Sequence, residues 1–113
     1  MYMTDLTLGT LELTVLLTVS RLATDAYGFA IRRDIAERTG REHSVGALYT
    51  TLQRLQDKGL VTSHATAPLP VRGGRSRRQY KLTATGARSL LDAQRHAESM
   101  WAGMGKRVRP RLG

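Results

Sequence analysis

Gly46, Thr50, Gln53 and Arg54 share one side of any helix formed by SVGALYTTLQRLQDKGLV, residues 44–61, while Leu48, Leu52 and Leu55 share the other. The leucine side is core. The opposite side is small or hydrogen-bonding, where an ordinary solvated face would be dense with Glu and Lys. Residues of these types suit a surface that is approached closely and read through hydrogen bonds. The major groove of B-DNA, about 12 Å wide, accepts such a helix and presents base edges to it. Gly46 and Ala47 in the first turn permit close approach. Ser44 and the first-turn amides can meet a phosphate. Thr50, Gln53 and Arg54 reach bases or phosphates one turn further on, and Tyr49 lies at the edge of the face. Asp57, on the same side near the C-terminal end, would repel phosphate, so a duplex should be leaving there.

A second group is RGGRSRRQYK, residues 72–81. Arg72, Arg75, Arg77 and Arg78 form a cluster of phosphate partners, with glycines that let the loop turn tightly. Enzyme-like chemistry finds no footing. Gly73-Gly74 is followed by neither Lys-Ser/Thr nor a helix pattern and is no phosphate loop. His43, His64 and His96 lack metal-ligand spacing, and the acids are scattered. No catalytic residue, metal or cofactor is expected.

The elements that must position these groups follow from periodicity. LGTLELTVLLTVSRL, residues 8–22, is apolar on most sides, through Leu8, Leu11, Val15, Leu16, Val19 and Leu22. A helix this apolar calls for burial on more than one face. Asp25 suits the N-cap of a second helix that is periodic through Phe29, Ile31 and Ile35 and stops at Gly40. Ser44 caps the third helix, and Lys58-Gly59 ends it. LVTSHA and RQYKLT are strands, with Tyr80 and Leu82 inward and Gln79 and Lys81 outward. The prolines and glycines between them require a loop, and the simplest connection is an antiparallel hairpin with a basic tip. Thr83 caps a fourth helix over residues 84–104, with Ala87, Leu90, Leu91, Ala97, Met100, Trp101 and Met104 along one side. Three helices, a hairpin and a further helix describe a winged helix-turn-helix with an appended helix.

Composition is consistent with that order. The 113 residues are 41% hydrophobic, enough for one compact domain or a small domain plus an arm. The net charge is +9, and its excess is concentrated at 72–81 and 106–111, which contain no acid. Concentrated positive charge suits a polyanion, with nucleic acid favoured over a membrane surface. Cysteine is absent, so there is no disulfide framework or thiolate metal site. The start lacks a basic n-region, and no stretch reaches the roughly 18 apolar residues of a membrane span. A cytoplasmic protein is expected.

LGTLELTVL, YGFAIRRDI, SVGALYTTLQRLQDKGLV and GGRSRRQYKLTATG, in that order and at those separations, resemble the PadR family of bacterial transcriptional regulators over about residues 6–90. The combination of Ser-x-Gly-x-Leu-Tyr with the later YKLTxxG is its most specific part. The resemblance implies a winged-helix homodimer that represses from a palindromic double-stranded operator and is commonly released by a small molecule. It also implies a dimer contact between first and last helices, through Leu11, Val15, Leu90, Leu91, Ala97 and Trp101. Trp101 reads first as a dimer-core anchor. Its alternative, by likeness to the family's multidrug-sensing members, is a platform for a small hydrophobic or aromatic effector, with Met100 and Met104 as adaptable walls.

The expected architecture is mostly α with a small β-hairpin. Residues 1–83 form the DNA-binding domain, 84–105 a dimerisation helix and 106–113 a basic tail. The competing reading is a winged-helix module that binds RNA or protein without operator specificity.

Overall fold

The first helix starts where Glu12 can reach back: its carboxylate accepts the Gly9 N–H at 2.9 Å. The structure, a computed structural model, describes residues 8–67 and 77–105. Helix α1 (Thr10–Leu22) runs into a 3₁₀ turn (Ala23–Asp25), followed by α2 (Gly28–Thr39) and α3 (Val45–Asp57). Strands β1 (Val61–Ala65) and β2 (Arg78–Leu82) form the hairpin, and α4 (Ala84–Trp101) closes the order. The strands are antiparallel, with Val61 opposite Leu82, Ser63 opposite Tyr80 and Ala65 opposite Arg78.

One core serves all of them. Val15, Leu16 and Val19 of α1 meet Ile31 and Ile35 of α2, the three leucines of α3, Leu60, Val61 and Tyr80. Leu8, Leu11, Leu22, Leu82 and Leu90 pack around it, partly buried. Ion pairs fasten the outside: Lys58 meets Glu12 at 2.9 Å, and Asp34 is shared by Arg21 at 2.7 Å and Arg38 at 3.2 Å. Among the described residues no helix is long and apolar enough to cross a membrane.

Helix α4 is seated by the end of α3. The Thr83 hydroxyl donates to the Gly59 carbonyl at 2.7 Å and accepts the Gly86 N–H at 2.9 Å. Gly86 lies so close to the Leu60 carbonyl that a Cβ there would collide with backbone. From Gln94 to Trp101 every residue of the helix is exposed.

Several expectations need correction. Asp25 does not cap α2. Residue Ala23 takes a positive φ of 51° and opens the 3₁₀ turn, and the Ala26 carbonyl then accepts the Tyr80 N–H at 2.8 Å. The chain stays extended through Tyr27, so the helix starts at Gly28. Phe29 is 70% exposed rather than core, because only Ile31 and Ile35 of its helix turn inward. Helix α4 stops at Trp101 and not at residue 104: Ala102 is extended, and Gly103 follows with φ of 80°. Met104 therefore leaves the helical stripe. Val15, expected at a dimer contact, is 0% exposed in the single chain and has no surface to offer a partner.

Two carboxylates make stability pH-dependent. A hydrogen bond from Arg21 holds the Asp34 carboxyl below its ordinary value of 3.8, with Arg38 adding to this and burial opposing it. Burial pushes Glu12 up, but the Gly9 N–H and the Lys58 ammonium outweigh that and hold it below 4.5. Folded-state values below unfolded ones mean stabilisation that is complete above the ordinary values and lost as pH falls past them. Thermal melts should therefore fall on acidification through that range, and Asp34→Asn should flatten the fall. Leu52→Ala should cost about 2–5 kcal/mol in denaturant titration, since Leu52 is fully enclosed.

Candidate nucleic-acid interface

Burying Leu48, Leu52 and Leu55 at 0–1% exposure turns the other side of α3 outward. Gly46, Thr50, Gln53 and Arg54 are all exposed there. A Cβ built on Gly46 meets nothing within 4 Å, so this end of the face is open space. The Ser44 Oγ caps the helix, accepting the Ala47 N–H at 3.0 Å. Ala47 is half-buried, which leaves the close-approach role mainly to Gly46. Gln53 is not free: its Nε2 donates to Asp57 Oδ1 at 2.9 Å. That bond holds the amide along the helix and partly occupies the carboxylate next to it.

The turn before α3 is fixed by Arg32, whose Nε donates to the His43 carbonyl at 2.7 Å. Tyr49 lies across Gly28, where a Cβ would overlap the phenol. This contact sets α2 against α3. Burial pushes the phenol of Tyr80 above its ordinary value, and the neighbouring Tyr49 adds to the shift.

The hairpin brings only part of its arginine cluster into view. Arg78 is exposed, and its guanidinium donates to the Ser63 Oγ at 3.0 Å. Ser63 in turn donates to Gln56 Oε1 of α3 at 3.0 Å, linking hairpin and helix. Arg77 departs from expectation. It is half-buried, with its guanidinium 4.0 Å from the centroid of the Tyr27 ring instead of projecting outward. Gln79, expected outward, is also half-buried and donates to the Thr24 carbonyl. Arg72 and Arg75 lie outside the described residues.

Sequence periodicity missed Tyr27 and Gly28. The available signal was an aromatic–glycine pair at the mouth of a helix, where glycine marks close packing. On α4, Leu91, Met100 and Trp101 are 51%, 66% and 61% exposed, and Ala97 is exposed with them. Leu11 and Leu90 are partly buried against the core. Met104 is half-buried in the turn after the helix, its N–H donating to the Trp101 carbonyl at 3.0 Å.

The model of the transcriptional regulator PadR-like family matches residues 15–92. The chain belongs to the PadR-like family. Solved structures agree. RosR of H. salinarum is 29% identical, covering 88% of this chain and 83% of its own, with a TM-score of 0.67. A PadR family regulator from Eggerthella lenta DSM 2243 is 27% identical over 89% of each chain, TM-score 0.66. Another from Clostridium difficile R20291 is 26% identical, covering 85% of this chain and 97% of its own, TM-score 0.65. No curated protein matches the chain. As a PadR-like protein it is a DNA-binding transcriptional regulator of winged-helix architecture, in a family of regulators and not of enzymes.

Gly46, on the outer face of α3, and Gly28, beneath Tyr49, should respond oppositely to alanine. Gly46→Ala has room and gains helix propensity, so it should raise stability by about 0.5–1 kcal/mol. Gly28→Ala must displace Tyr49 and should lower the melting temperature. Calorimetry of both variants checks this.

Proposed function

We propose that this PadR-like regulator is a homodimeric repressor that reads a palindromic operator with α3 and contacts backbone with the hairpin. The observation that carries the reading is the outer face of α3: small at Gly46, hydrogen-bonding at Thr50, Gln53 and Arg54, and exposed throughout. Ser44, Ala47 and Tyr49 frame that face, and Arg78 extends it toward the hairpin. Gln53 reads a base edge after exchanging its bond to Asp57 for one to the duplex. Arg72 and Arg75 add phosphate contacts from the loop.

Residues 84–105 serve as the dimerisation unit and residues 1–83 as the DNA-binding unit. Exposed Leu91, Met100 and Trp101 on one projecting helix support the pairing, because a monomer leaves this apolar surface in water. Leu11, Leu90 and Ala97 join them in the proposed contact. A two-fold axis through α4 presents two copies of α3 to a palindrome. In the dimer Trp101 is a core anchor; the alternative role is a platform for a releasing effector, with Met100 and Met104 as adaptable walls. The repressor acts in the cytoplasm, and residues 106–113 add positive charge to the same chain.

Site selection from a random duplex pool tests the central claim. A single palindrome should emerge; weak preference across sequences would favour the RNA- or protein-binding alternative instead. Gly46→Glu should abolish binding to that palindrome without changing circular dichroism. Gln53→Ala should cost about 1–3 kcal/mol at one base position and relax preference there. Sedimentation should give a dimer at micromolar protein, and Trp101→Glu should shift it to monomer with a parallel loss of operator affinity.

A further inference from the structure

A segment without an assigned role lies between the reading helix and the hairpin. The Tyr80 N–H donates to the Ala26 carbonyl at 2.8 Å, Gln79 donates to the Thr24 carbonyl, and Tyr27 pairs with Gln79 in an antiparallel bridge. The turn before α2 thus acts as a short third strand beside β2. One residue on, Gly28 seats Tyr49 of α3. Both DNA-facing elements are anchored on the same dipeptide.

Backbone bonds along one edge and the buried side chains of Val61 and Tyr80 place the base of the hairpin but leave its outer end, beyond Tyr80, able to twist. A two-stranded hairpin has little rigidity of its own to resist this. A side-chain contact off the axis removes that freedom, and Arg77 makes one at the start of β2. Its carbonyl accepts the Thr66 N–H and hydroxyl at 2.6 and 3.0 Å, tying it to the opposite arm. Its guanidinium lies 4.0 Å from the Tyr27 ring centroid. Among the described residues its Nε is buried without a hydrogen-bond partner, and the ring is the contact they give its charge.

We propose that Tyr27 is a positioning residue for DNA recognition, whose ring, held under Arg77, sets the twist of the hairpin's outer end relative to α3. Hairpin charge and the outer face of α3 then meet one duplex together. The inference rests on the DNA reading above, with Arg77 acting through Tyr27 rather than as a plain phosphate contact.

The test uses the full-length protein and the duplex selected from the random pool, titrated across salt concentrations. Tyr27→Leu should weaken binding about tenfold and lower the log–log salt slope, although tyrosine carries no charge; only the withdrawal of other, cationic side chains from phosphate can do that. Tyr27→Phe keeps the ring and should bind within about twofold of the parent. Arg77→Met should lower the slope by more than the roughly 0.9 of one phosphate contact, and the double variant should lose no more than either single one. Unchanged affinity and slope in Tyr27→Leu would overturn the proposal. So would additive losses in the double variant, or a fall of one contact's worth in Arg77→Met. If Tyr27→Leu does not fold, the Arg77→Met slope and the Tyr27→Phe affinity decide. A parent protein with no preference for the selected duplex would instead refute the DNA reading itself.

Discussion

The burial of three leucines on one side of α3 decides the orientation of everything that faces outward. Leu48, Leu52 and Leu55 cannot return to water without losing the centre of the core that α1, α2 and the hairpin share. Their burial fixes the helix about its own axis, and Gly46, Thr50, Gln53 and Arg54 are presented as a consequence. Rotation by one residue would expose a leucine and bury a polar group, and each change is costly. The outer face of α3 is rigid because the opposite face is apolar.

Around that helix the fold uses close backbone approach where longer side chains would introduce slack. Gly28 admits the Tyr49 ring between α2 and α3, and Gly86 brings α4 against the Leu60 carbonyl. At these contacts no side chain on the glycine comes between the elements. The hairpin adds polar joints to the core burial of Val61 and Tyr80: backbone bonds to the 24–27 turn, Arg77 on Tyr27 and the Arg78–Ser63–Gln56 chain.

Helix α4 changes character along its length. Its first turns are capped by Thr83 and packed through Leu90, whereas the residues from Gln94 onward touch no core. The exposed Trp101 and Met100 lie at the far end of that projection.

Periodicity, caps and charge in the sequence were sufficient to specify the element order, the leucine core of α3, the Ser44 and Thr83 caps and the inward facing of Tyr80 and Leu82. All of these depend on neighbours within one or two turns or on strict alternation, so local chemistry determines them. Other features depend on residues distant in the chain. Arg77 reads in the sequence as one more projecting cation, but Tyr27, far earlier in the chain, lies beneath it and holds it down. Asp25 had the chemistry of a cap, but the pairing of Ala26 with Tyr80 kept the chain extended past it. Val15 and Phe29 were equally apolar in the sequence, and tertiary packing put the first at 0% exposure and the second at 70%. Periodicity identifies an apolar face but not which of its members the rest of the chain will cover, because that depends on where the other elements close.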